Sequence, residues 1–354
     1  MTKAQLKLLE ELVLLPSPSG FEKEIAKRIM EAMPKRGCSV EVDFQNNVSV
    51  VIPGRTRDTV MIDAHHDQIG FIVSNIDDNG HISLLPIGGA DSSIMSGKNL
   101  LILSDSGPVN AVVNRKAAHQ ITDESDEFIE YAHEAVVDIG VRSRTKALKV
   151  VQIGDPVVYR PIFEPLQDGY YTGSGLDDKT GCFVLIEVIR AILRSKKKPM
   201  STLVFTFSSQ EETGGRKCRP LIKRFEPQTF IEVDVTFASD WNERGWEAEA
   251  QAGRCVLGKG PVFYRGVDIN AVLFNQLRTE ARKCKIPFQV QASTGEVGYT
   301  ATELTHESYG IHGMIVGLPL RNMHSPVEIV HVKDLTDSIK LLSQCLLNRQ
   351  MGRI

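Results

Sequence analysis

The feature that most limits this chain is a change of periodicity over residues 68–165, where helical spacing gives way to short β-rich runs and then returns. Upstream, Leu6, Leu9, Leu12 and Val13 recur on one helical face behind a Thr2/Gln5 pair spaced as a capping box, and Pro16 follows that helix. A second box, Ser19 with Glu22, opens a helix carrying Ile25, Ile29 and Met33, which Pro34 stops. Residues 48–52 and 59–64 read as strands on either side of Pro53-Gly54, and the second runs into His65-His66-Asp67. Within 68–165, β-rich runs at 70–73, 81–85, 100–103 and 108–113 alternate with turns rich in Gly and Asp. From Asp177 onward the spacing predicts a helix over 180–193 and strands over 203–208, 231–236 and 314–317. The pattern implies an α/β domain, a mixed or parallel sheet with helices on both faces, made of residues 1–67 and 166–354 and interrupted by a small inserted β domain at 68–165. A length of 354 residues allows both parts.

Composition narrows the function classes. Apolar residues make up 42% and charged residues 24%, ordinary globular usage that excludes disordered and fibrous chains. A net charge of -3 leaves no electrostatic footprint for nucleic acid or an anionic membrane, and Lys196-Lys197-Lys198 reads as a solvated helix end. No stretch approaches the roughly 18 consecutive apolar residues of a membrane span. Lys3, Lys7, Glu10 and Glu11 interrupt the N-terminal apolar positions, so they do not form a signal peptide and the expected compartment is the cytoplasm. The six cysteines are widely spaced with no Cys-x-x-Cys pair, which reads as reduced thiols rather than a zinc knuckle or disulfide framework. Gly173-Ser174-Gly175 lacks the spacing of a nucleotide-binding loop, so no nucleotide cofactor is expected.

In open α/β sheets, functional side chains gather beyond the carboxyl ends of strands. Four such ends carry acids or histidines: Asp63-Ala64-His65-His66-Asp67, Ser208-Ser209-Gln210-Glu211-Glu212, Asp234, and Asn322-Met323-His324-Ser325-Pro326. A fifth group, Gly175-Leu176-Asp177-Asp178-Lys179, lies where a loop becomes a helix. Strand alternation puts His65 and Asp67 on one face and His66 on the other, so Asp67 is placed to orient the His65 ring. Two divalent ions roughly 3.5 to 4 Å apart need several protein ligands, one of them bridging, and an open position for water. Histidines mixed with carboxylates suit zinc, cobalt or manganese better than calcium or magnesium. The Glu211-Glu212 pair offers one ligand and one free general base. Taken singly, Asp177 and Asp178 also suit a helix N-terminus, Asp234 an ion pair, His324 a loop, Asp67 a turn cap, and the glutamates a solvated strand end.

Together these segments resemble the M42 aminopeptidases. The resemblance rests on His65-x-Asp67 with Ile69-Gly70, Leu176-Asp177-Asp178, Glu211-Glu212, Val233-Asp234-Val235-Thr236 and His324-Ser325-Pro326-Val327-Glu328, in that order. Leu15-Pro16-Ser17-Pro18-Ser19-Gly20 and the inserted β domain extend it over nearly the whole chain. It implies a zinc-exopeptidase-like α/β fold with a small β-barrel or PDZ-like insert that supports dimer contacts within a tetrahedral dodecamer. It further implies two divalent ions, zinc or cobalt with manganese as the alternative. Asp177 would bridge them, His65 and Asp234 would complete one site, and Glu212 and His324 the other. Glu211 would be the general base, Asp67 the partner of His65, and peptides with free N-termini the substrates.

Two positions depart from the family pattern. Gln68 stands where Glu is usual, and Gly298-Tyr299-Thr300-Ala301 stands where Gly-Thr-Asp-Ala is usual. The first lies outside the expected metal shell, and the second removes a carboxylate near the expected substrate pocket, which Phe237 and Trp241 also adjoin. His66, His119, His306 and His312 are expected in ordinary polar or packing roles, although His119 is placed where it would reach a neighbouring subunit's site. The alternatives are a two-metal amidohydrolase acting on small N-acyl substrates and a catalytically silent peptide- or sugar-binding relative. A glycosidase would need two carboxyls facing across a sugar at roughly 5 to 9.5 Å and would leave the histidines without a role.

Overall fold

The computed structural model describes residues 1–121, 129–214, 218–241, 249–250, 253–294 and 310–352. Helix α1 (Lys3–Val13) starts on the Thr2/Gln5 capping box, both halves of which form, and buries Leu8, Leu9, Leu12 and Val13. Helix α2 (Lys23–Ala32) ends at Met33, which is extended (ψ 148°) as the residue before Pro34 must be. The second expected box does not form: Glu22 caps α2 without a side-chain bond, and the Ser19 hydroxyl donates to Asp67 instead, at 2.5 Å. A tertiary carboxylate has captured a residue that local spacing assigned to the helix.

The strands are β1 (Ser39–Val42), β2 (Val48–Ile52), β3 (Thr59–His65), β4 (Gly70–Ile76), β5 (Ile82–Ile87), β6 (Asn99–Ser104), β7 (Gly107–Val113), β8 (Val137–Asp138) and β9 (Pro156–Tyr159). There follow β10 (Phe163–Pro165), β11 (Tyr170–Gly173), β12 (Thr202–Ser208), β13 (Thr229–Phe237), β14 (Val262–Gly266), β15 (Gln289–Ser293), β16 (His312–Leu320) and β17 (Glu328–His331). Eight of them form one mixed sheet in the order β1-β2-β12-β3-β13-β16-β14-β15. Its centre, β12, β3, β13 and β16, is parallel, and antiparallel pairing appears at β1–β2, β2–β12 and β14–β16.

The central strands are buried on both faces, which their nearly continuous apolar runs require. One face sets Ile62, Phe205, Val233 and Val316 against α1, α2, the long helix α4 (Leu176–Ser195) and the C-terminal helix Val332–Asn348. The alternate positions Met61, Phe230 and Ile315 pack against Leu221 and Ile222 of the helix α5 (Arg219–Phe225). Among the short helices, α3 (Arg144–Ala147) lies in the β-rich segment.

Strands β4 to β9 close a separate barrel in the order β4-β5-β8-β7-β6-β9, with its own core of Phe71, Leu84, Leu100, Ile102 and Val157. A third, three-stranded sheet, β10-β11-β17, lies at the start of α4. Because β3, β12, β13 and β16 run parallel, their carboxyl ends meet on one side of the large sheet. The candidate residues converge there.

Candidate active site

His65 is the last residue of β3 and is buried. Its Nε2 lies 3.1 Å from Asp177 Oδ1, 3.7 Å from Asp234 Oδ1 and 4.0 Å from Glu211 Oε2. Its Nδ1 faces Asp67, at 3.1 Å from the backbone carbonyl and 3.4 Å from Oδ1. Asp67 does more than orient that ring. Its Oδ1 accepts the Glu211 N–H at 3.0 Å and its Oδ2 the Glu212 N–H at 3.2 Å, so one buried carboxylate aligns β3's histidine with the loop after β12.

Asp177 stands at the start of α4 and is shared. While Oδ1 faces His65, Oδ2 lies 3.4 Å from His324 Nε2, and that same nitrogen is 3.3 Å from Glu212 Oε2. The expected residues His65, Asp177, Asp234, Glu211, Glu212 and His324 are therefore all brought together. Asp177 and Asp178 are joined by a cis peptide.

His324 follows β16 with φ 62°, in the left-handed region. Its ring is fixed from outside the large sheet, since Nδ1 lies 3.2 Å from the Gly89 carbonyl in the loop after β5. That contact needs small residues: a Cβ at Gly89 would come 2.8 Å from His324 Nδ1, and one at Gly88 would come 3.1 Å from the Glu212 carbonyl.

The electrostatics show a demand for positive charge. Burial pushes the carboxyls of Asp234 (to about 7) and Glu211 (well up) above the usual range, reinforced at Asp234 by Asp177 and at Glu211 by Asp234. Burial opposes protonation of His65, but bonds to Asp177 and Asp67 outweigh it and raise that imidazole well above its usual range. His324 rises to about 11 because bonds to Asp177 and Glu212 outweigh its burial. At Asp177 burial is outweighed by the two histidines, and its carboxyl is held low. Asp178 Oδ2 and Glu212 Oε1 are buried with no hydrogen-bond partner among the described residues. Three overlapping groups, His65/Asp177/Glu212, His65/Asp178/Asp234 and Glu211/Glu232/Asp234, present donor atoms within 4.8 Å of one another. Oxygen and imidazole donors, surplus carboxylates and two orphaned oxygens fit divalent cations. Thiolate is not part of the set, since Cys182 Sγ donates to the His65 carbonyl at 3.1 Å.

Sequence reasoning gave no role to Glu328, Glu232 or the Gly88-Gly89 loop. Glu232 and Glu328 carry the signal that marked Asp234, an acid flanked by apolar strand residues, and both are buried. Gln68 lies outside the cluster, where its Oε1 accepts the Ser17 N–H at 3.2 Å and the buried Lys179 ammonium at 2.5 Å. His66 is buried, and neither ring nitrogen has a hydrogen-bond partner among the described residues. His119 sits on the exposed turn Ala118–Gln120, and His312 lies at the start of β16, bonded to Asn270 at 2.7 Å. Phe237 and Trp241 are exposed. His306 and the segment holding Thr300 lie outside the described residues.

The lysyl aminopeptidase of Pyrococcus furiosus is 28% identical over 343 residues, 96% of each chain. The TET aminopeptidase of the marine sediment archaeon Thaumarchaeota archaeon SCGC AB-539-E09 has a TM-score of 0.88 at 26% identity, covering 98% of this chain and 96% of that one. The Pyrococcus horikoshii TET1 peptidase, which can assemble into a tetrahedron or a large octahedral shell, has a TM-score of 0.85 at 25% identity, covering 98% and 100%. The family model of the M42 glutamyl aminopeptidases matches residues 46–341, and the chain belongs to that family of hydrolases.

Proposed function

We propose that this chain removes N-terminal residues from peptides with two divalent ions, zinc or cobalt, or alternatively manganese. The carrying observation is that the two oxygens of Asp177 face different histidines, His65 Nε2 at 3.1 Å and His324 Nε2 at 3.4 Å. In this reading His65, Asp177 and Asp234 hold one ion, and Asp177, Glu212 and His324 the other. Such ions supply a site for the substrate's free α-amine, a water of lowered pKa and a polarised scissile carbonyl. Glu211 takes the proton from the attacking water and passes it to the departing amine. Asp67 holds the His65 ring and the backbone of both glutamates, so that base and ligands keep a fixed spacing.

The separate core of the barrel supports reading residues 68–165 as an inserted domain, and its use in dimerisation, within a homo-oligomer that extends to a tetrahedral dodecamer, completes the proposal. The assembly of the TET1 relative supports that reading. Among the described residues no helix is long and apolar enough to cross a membrane, and a cytoplasmic location is the matching proposal.

The test is hydrolysis of amino-acid anilides by chelator-treated protein, before and after adding cobalt, zinc or manganese, beside the N-acetylated counterparts. Cleavage of the free-amine substrates that returns with metal is expected. Release of acetate from the acetylated set, with the free-amine anilides left intact, would establish a deacylase, and silence in both readouts with metal bound would favour the binding relative.

A further inference from the structure

The two-ion reading leaves unexplained how Asp177 and His324 acquire their spacing. Neither stands in regular structure. Asp177 has non-helical angles (φ -74°, ψ 114°) although it opens α4, and His324 is left-handed. One side chain ties them together. Strands β11 and β17 pair antiparallel with Glu328 opposite Gly173, which places the Glu328 carboxylate beside the turn that begins α4. Its Oε2 accepts the Leu176 N–H at 2.7 Å and the Asp177 N–H at 3.4 Å. Its Oε1 accepts the His324 N–H at 3.0 Å. The residue is 1% exposed, so these bonds do not compete with bulk water.

We propose that Glu328 is a positioning residue that clasps the Asp177 turn to the His324 loop and so sets the ligand pair of the Asp177/Glu212/His324 ion before that ion arrives. This inference rests on the two-ion reading above. It gives the site two buried organisers of complementary reach: Asp67 serves His65, Glu211 and Glu212, and Glu328 serves Asp177 and His324. Only an acceptor at both oxygens can do this work, because all three partners are N–H donors. Glutamine has the same size but presents an amide NH2 to one side, so one of the two segments must let go.

The experiment titrates zinc into metal-free wild-type and Glu328→Gln full-length protein against a competing chelator, with the thermal midpoint of each metal-free form and the kcat and KM of each loaded form. The expected result is one ion bound about 10- to 100-fold more weakly, the loss typical when a ligand's supporting partner is removed. The other ion shares Asp177 but keeps His65 and Asp234, so it should weaken clearly less, and kcat should fall further than KM rises. Equal affinity for both ions in the two proteins would overturn the clasp, as would equal weakening of both ions in step with a lowered midpoint, which marks general loosening. A wild-type chain that binds no ion would instead sink the two-ion reading. If the variant does not fold, hydrogen exchange on the metal-free wild type decides. Protected amides at Leu176, Asp177 and His324 support the clasp, and exchange at the rate of open loop amides refutes it.

Discussion

Replacing Glu211 with Gln removes a proton acceptor and little else. The Glu211 N–H donates to Asp67 Oδ1 at 3.0 Å, a backbone bond that the substitution keeps. The side chain is 15% exposed, and its Oε2 lies 4.0 Å from His65 Nε2, inside the cluster but outside the two ligand sets assigned here. Loss of a general base slows turnover by roughly 10²- to 10⁴-fold, or about 2.7 to 5.4 kcal/mol of barrier. The stability change should run the other way. Burial, with Asp234 and Glu232 close by, disfavours the ionised carboxylate, so a neutral amide relieves repulsion and the metal-free protein should melt no lower than wild type. The assay is kcat on an amino-acid anilide at saturating metal, paired with metal content per chain and the metal-free thermal midpoint. A kcat within tenfold of wild type would refute the base assignment. Metal content falling from two ions toward one would show that Glu211 is a ligand.

Gly89→Ala is expected to cut kcat/KM at least tenfold, an order-of-magnitude loss typical of a disturbed ligand partner, while the midpoint changes little; full activity would show that His324 does not need the Gly89 contact. Asn47→Ala should destabilise by about 1 to 3 kcal/mol in urea and lower kcat, because Asn47 Oδ1 accepts the Ser209 N–H at 2.9 Å next to the Glu211-Glu212 loop; unchanged kcat would sever that link. A double-mutant cycle on Asp240 and Arg321, bonded at 2.9 and 2.8 Å, should give a coupling of about 1.5 to 3 kcal/mol, and a value under about 0.5 would mean that solvent screens the pair. Returning metal to stripped protein at about 1,000 times Kd should stabilise it by about 4 kcal/mol per site, and an unmoved midpoint would mean that the folded state gains no binding energy.

Much of the fold and the site was legible because the signals were local. Nearly continuous apolar runs marked β3, β12, β13 and β16, and the acids and histidines toward their carboxyl ends are the residues that meet. The two capping boxes show the limit of such signals. Thr2/Gln5 closes within its own turn, whereas Ser19, at the same spacing from Glu22, is drawn to a buried carboxylate from another segment. Asp234 was recognisable as a charge inside an apolar strand. Glu328 bears the same mark, but its partners are backbone amides, which leave no trace in the identity of the residues that supply them. The Gly88-Gly89 contact joins segments far apart in the chain, and a glycine pair reads as an ordinary turn until its neighbours are known.

That glycine pair means the barrel cannot be exchanged as a detachable module. Its loop lies against the His324 ring on one side and the Glu212 backbone on the other. Cutting the barrel out, or grafting one from a relative, would leave an imidazole nitrogen without its acceptor, even if both cut ends healed and the large sheet folded. A chimera that keeps the β5 exit loop with the recipient sheet should tolerate a foreign barrel better than one that takes the whole insert.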